Sequence, residues 1–125
     1  MKHIKQKNQL DCGIACAAML AGTDYKTALS YDKNPLSDTG LNISEMSQMI
    51  SDLTGSKWKT SKKHYKKVLG DIKIEKSAIL IQNEDGFSHW IASDGVHIFD
   101  PWFNKKLKVE DYEYKNWIVL RTLSP

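Results

Sequence analysis

Apolar and polar positions follow two different rhythms along this chain. Through the first half they recur at helical spacing or in a short Ala-rich run, and from residue 77 onward they form short β-branched or aromatic runs between turn residues. Residues 12–21 predict a first helix that Gly22 stops, and residues 25–31 a short second helix with Thr23 and Asp24 as caps. Residues 32–39, which contain Pro35, read as a loop. Ile43, Met46, Ile50 and Leu53 set residues 43–54 on an amphipathic helix closed by Gly55, with Met46 and Met49 as packing residues. Ser61 is placed to cap a further short helix over 62–69, ending at Gly70. Strands are expected over 77–83, 87–93, 96–100 and 117–122, with turns at Glu84-Asp85-Gly86 and Asp94-Gly95. Helices first and antiparallel strands second predict an α+β fold, the N-terminal helical part packed on a C-terminal sheet.

Composition narrows the class. At 125 residues, 41% hydrophobic and 26% charged, the chain is expected to be one domain, 1–125, of an ordinary soluble protein. A formal charge of +3 is too small an excess to mark a nucleic-acid binder, so no nucleic-acid partner is expected. Lys57, Lys59, Lys62, Lys63, Lys66 and Lys67, interleaved with Trp58 and Tyr65 in the stretch that runs to Lys76, could face phosphate. A solvated helix face with Val68 and Leu69 turned inward is the preferred reading. Lys2, Lys5 and Lys7 ahead of the apolar run 14–21 imitate a secretory signal, but Gln9, Asp11 and Gly13 interrupt it and the run is only about eight residues long. No stretch reaches the ~20 apolar residues of a membrane span, and a cytoplasmic protein is expected. Cys12 and Cys16 lie one turn apart on a single predicted helix, where a disulfide would strain the backbone, so reduced thiols are expected. Two cysteines do not complete a zinc knuckle, and no metal or other cofactor is implied.

The border at Asp11-Cys12 carries the first candidate chemistry. Asp11 is a suitable acceptor for first-turn amides, and Cys12 would sit where the positive end of a helix favours a thiolate. Taken alone, Cys12 reads first as a small core residue of an Ala-rich helix. The Asp94-Gly95 pair supplies a second candidate by an independent route. A two-residue type I′ hairpin there sets Ser93 opposite Val96, Ala92 opposite His97, Ile91 opposite Ile98, Trp90 opposite Phe99 and His89 opposite Asp100. Directly opposed residues share a face with Cβ atoms about 4.5–5.5 Å apart, so His89 and Asp100 should meet, while His97 points to the other face. A cross-strand surface ion pair would look the same in sequence. A cysteine at a helix start, with a histidine held by a carboxylate on a later sheet, composes a Cys–His–Asp arrangement.

With those residues in place the chain resembles a known family. Gln6, Asp11-Cys12-Gly13, Ala15-Cys16 and Met19 resemble the nucleophile motif of the bacteriocin-processing peptidases, papain-like cysteine peptidases that cut leader peptides after a double glycine. Ser88-His89-Trp90 is similar to that family's histidine element and Phe99-Asp100-Pro101 to its Asp-Pro element. The resemblance implies a papain-like fold with Cys12 as nucleophile, His89 as general base and then acid, and Asp100 as its orienting group. It implies Gln6 as side-chain donor of the oxyanion hole beside the Cys12 amide. It gives no role to His3 or His64, which are expected at the surface. The substrate implied is a peptide or protein, with a separate transporter as a compatible partner, because the family's domain is commonly fused to a transporter and a stand-alone domain is expected here. Two other readings stay open: a deamidase or other acyl transferase using the same triad, and a domain that binds leader peptides or a partner without cutting.

Overall fold

The computed structural model of the protein describes residues 1–34, 39–61 and 67–125. Three helices come first, α1 (Cys12–Ala21), α2 (Tyr25–Leu29) and α3 (Ile43–Thr54). Five strands follow, β1 (Lys59–Thr60), β2 (Lys76–Gln82), β3 (Ser88–Asp94), β4 (Ile98–Phe99) and β5 (Ile118–Ser124). They form one antiparallel sheet in the order β1-β5-β2-β3-β4. The expected α+β architecture, helices packed on a C-terminal antiparallel sheet, is the one observed.

Small side chains explain why α1 sits at the centre. Every residue from Cys12 to Leu20 is buried, and a helix apolar all round must be covered on all sides. Gly22 ends it with φ +70, a left-handed conformation that lets its amide return to the Ala18 and Met19 carbonyls. The amphipathic helix α3 buries Met46, Met49 and Ile50 and starts at a capping box, in which Asn42 and Glu45 exchange side-chain and backbone bonds of 2.8 and 3.0 Å. Alternation along the strands divides the sheet. Ala78, Trp90, Ala92, Phe99 and Leu123 pack with α1 and α3, while Ile79, Ile81, Ile91, Ile98 and Val119 form a second core with Leu69 and Tyr112. Trp90 also donates its indole N–H to the Leu41 carbonyl at 2.9 Å, so its burial leaves no polar atom stranded.

Several local expectations are corrected. The β3–β4 connection is not a two-residue turn: Ala92 pairs with Phe99 and Ser93 with Ile98, two positions away from the expected register. The Asp94 carboxylate accepts the amides of both Val96 and His97, at 2.9 and 2.8 Å, and that side-chain bonding builds a wider loop. The helix expected over 62–69 lies partly outside the described residues, as do Pro35 and His64. Its end is not helical, for Val68 is extended and bridges to Ile118, and Leu69–Asp71 is a 3₁₀ turn. Leu69 is buried and Val68 half-buried, as expected, and Trp58 belongs to the core rather than to a basic surface. The two-residue β1 went unread because an isolated Lys-Thr pair carries no periodicity. His3 is half-buried and stacked on Phe99, not a free surface residue.

Candidate active site

Cys12 is the first residue of α1, and the turn before it differs from expectation in an informative way. Asp11 does not cap the helix with its side chain, because its backbone (φ −106, ψ 19) is not the extended conformation of a capping residue. Its buried carboxylate turns back to accept Lys7 N–H at 2.8 Å and Asn8 N–H at 3.0 Å. Asp11 therefore shapes the 6–11 turn. The first intrahelical bond runs from Ala15 N–H to the Asp11 carbonyl at 3.1 Å, which leaves the amides of Cys12, Gly13 and Ile14 without a helical acceptor. Those amides form the positive end of α1. Gly13 permits close packing there: a Cβ would lie 3.1 Å from Leu41 Cδ1 and 3.3 Å from Trp90 Cδ1.

His89, at the start of β3, is 1% exposed and Asp100, just after β4, is 2% exposed. Their side chains meet, with Nε2–H donating to Oδ1 at 2.7 Å. A carboxylate only accepts, so the proton on Nε2 is fixed, and Nδ1 is left on the side of Cys12. Burial works against the imidazolium, but the bond to Asp100 and the influence of Asp100 and Cys12 outweigh it, raising His89 to about 9. Cys12, His89 and Asp100 are thus brought together. Cys16, one turn along α1, is fully buried, and burial, then the charges of Cys12 and Asp100, push its thiol well up.

The N-terminal segment joins the same cluster. Gln6 is buried and its Nε2 donates to the Asn8 carbonyl at 2.7 Å, which uses one of two amide hydrogens. Its Oε1 is buried with no partner among the described residues. The Gln6 backbone N–H donates to the Pro101 carbonyl at 2.8 Å, and His3 Nε2–H to the Asp100 carbonyl at 2.9 Å. One corner, Asp100-Pro101, thereby holds both His89 and the N-terminal segment that carries Gln6.

The sequence reading missed two residues of this site. Trp102 stacks on the His89 ring at 3.9 Å and 15°, and its backbone N–H donates to Asp100 Oδ1 at 2.8 Å. Tyr112 is 1% exposed and donates its hydroxyl to Asp100 Oδ2 at 2.6 Å. The only sequence signal for Trp102 was its place one residue beyond Asp-Pro; for Tyr112 there was none, since it arrives from a 3₁₀ turn, Val109–Asp111.

The peptidase C39 family model matches residues 1–120. The chain belongs to the peptidase C39 family. Membership implies a cysteine peptidase with a peptide substrate. No curated protein is significantly similar to the chain. Among the described residues no helix is long and apolar enough to cross a membrane, and no cluster of His, Cys, Asp or Glu is arranged to hold a metal ion. A cavity of about 440 Å³ adjoins the first turn of α1, with Leu10, Asp11, Ile14, Tyr25 and Leu41 on its wall.

Proposed function

We propose that this C39 family member hydrolyses peptide bonds with Cys12 as nucleophile, His89 as acid and base, Asp100 as its orienting group and Gln6 as an oxyanion donor. The observation that carries the reading is the convergence of Cys12 and His89, with the imidazole held on the buried Asp100 carboxylate at 2.7 Å. The Cys12 thiolate attacks the carbonyl carbon, and the oxyanion takes hydrogen bonds from the free Cys12 amide and the second Gln6 Nε2 hydrogen. Imidazolium then gives its proton to the leaving amine, and the C–N bond breaks to leave a thioester. Water, deprotonated by the neutral imidazole, cleaves the thioester and restores the thiol.

The finer substrate assignment rests on the resemblance of the three motifs: cleavage after a double glycine in a leader peptide. Both cysteines are free, and a nucleophilic thiol favours a reducing compartment such as the cytoplasm. The test is a panel of peptides with Gly-Gly and Ala-Ala at one position, incubated with the wild type and with Cys12→Ala and followed by mass spectrometry. New termini at Gly-Gly from the wild type alone are the expected result. A gain of about one dalton at glutamine would make the chemistry deamidation, and retention of intact peptide would make the domain a binder.

A further inference from the structure

Asp100 is a buried carboxylate with three hydrogen-bond donors, and only one of them is the histidine. Oδ1 accepts His89 Nε2–H and Trp102 N–H, and Oδ2 accepts the Tyr112 hydroxyl at 2.6 Å. That length belongs to a charge-assisted O–H···O⁻ bond, about twice as strong as a neutral one. We propose that Tyr112 is a positioning residue for the base: its hydroxyl locks the plane of the Asp100 carboxylate from the side opposite His89 and sets how much of the carboxylate's charge reaches the imidazole. The inference rests on reading Cys12, His89 and Asp100 as the catalytic relay.

Geometry gives Tyr112 this role without contact with any reacting atom. A carboxylate held only through Oδ1 could swing about its Cβ–Cγ bond and spoil the His89 bond; a second anchor on Oδ2 prevents that. The anchor is itself braced, since the Tyr112 ring packs edge-on against Tyr114 at 5.6 Å, which packs against Trp117 at 4.4 Å. Burial, then the Asp100 charge and bond, push the phenol above its ordinary range, so it remains a donor. The titratable groups around the relay are Cys12 and Cys16 from α1, Asp100 after β4, and Tyr112 and Tyr114 from the segment before β5.

The consequence is a signed shift of the histidine. Without the hydroxyl, more of the Asp100 charge is left for the imidazolium, so Tyr112→Phe should move the His89 titration upward by about half a pH unit or more. Biosynthetic 3-fluorotyrosine, a stronger donor, should move it downward. Both are read by imidazole NMR on labelled protein, with Tyr114→Phe as the variant expected to leave His89 unmoved. Tyr112→Phe carrying fluorotyrosine elsewhere should lose the downward shift; keeping it would overturn the proposal. If Tyr112→Phe does not fold, the fluorotyrosine arm decides alone, and an unmoved His89 overturns the role of Tyr112. Iodoacetamide on the wild type separates the two readings: failure to alkylate Cys12 ahead of Cys16 sinks the relay itself, whereas normal alkylation with an unmoved His89 sinks only the part given to Tyr112.

Discussion

Asp100 meets His89 on a diagonal, not straight across the β3–β4 hairpin. Ala92 pairs with Phe99, so by counting outward Trp102 stands opposite His89 and Asp100 lies two residues nearer the loop. Diagonal neighbours on one face are about 7–8 Å apart, within reach of an imidazole and a carboxylate, and the 2.7 Å bond closes that gap. The indole that does stand opposite stacks on the imidazole. Imidazole, carboxylate and stacked indole are thus set by a single register.

The buried pair makes stability depend on pH with a definite sign. His89 holds its proton to about 9 in the folded protein against 6.5 ordinarily, burial opposing the charge and Asp100 and Cys12 outweighing burial. A raised histidine contributes stability that is complete below 6.5 and lost as pH rises through about 9. The contribution is on the order of 3 kcal/mol. Urea unfolding across that window should show the free energy falling toward alkaline pH, and Asp100→Asn should flatten most of the slope. An equal slope in both proteins would refute the assignment.

The two cysteines should behave as different chemical species. Cys12 is 8% exposed and lies near enough to His89 to raise its imidazole, whereas Cys16 is 0% exposed with its thiol pushed up by burial. Iodoacetamide near neutral pH should modify Cys12 first, as peptide mapping would show. Cys12→Ala should fold normally and abolish turnover. Cys16→Ala should leave alkylation and turnover unchanged and cost about 1–2 kcal/mol of packing.

Gln6 should matter to the rate more than to the fold. Its side chain makes one bond, to the Asn8 carbonyl, and its backbone anchor to Pro101 survives any change of side chain except proline. Gln6→Ala is therefore expected to lower kcat on the order of a hundredfold with KM little changed. A proportional rise in KM at constant kcat would mean that Gln6 only binds substrate.

What could be read in advance, and what could not, follows from the range of the signals. Helix α1 and its stop at Gly22 came from a local Ala-rich apolar run and a local glycine. The meeting of His89 with Asp100 was legible although the turn was misjudged, because a register error of two keeps every side chain on its face, whereas an error of one would have separated them. The turn itself was misread because Asp94 spends its carboxylate on Val96 and His97, a side-chain bond that a Asp-Gly pair does not announce. Asp11 was misread for the same reason, its carboxylate preferring Lys7 and Asn8 to the helix. Tyr112 could not be foreseen, since it reaches Asp100 by tertiary packing alone, and Trp102 was missed because the misjudged turn hid the register that sets it opposite His89.

Trp102 tests whether the cover over the base has a role beyond packing. The indole lies parallel to the imidazole at 3.9 Å and continues outward to Phe87 at 5.5 Å and Tyr114 at 6.2 Å. It keeps one face of His89 from water and allows the ring only rotations within its own plane. Its backbone N–H bond to Asp100 is independent of the side chain, so substitution isolates the effect of the ring. Trp102→Ala should cost about 1–3 kcal/mol of stability through lost aromatic contacts and slow Cys12 alkylation and turnover about tenfold, the imidazole being free to tilt away from the thiol. Trp102→Phe restores a flat cover and should recover most of the rate. Equal alkylation rates in the wild type, Trp102→Ala and Trp102→Phe would show that Asp100 orients His89 without help from the stacked ring.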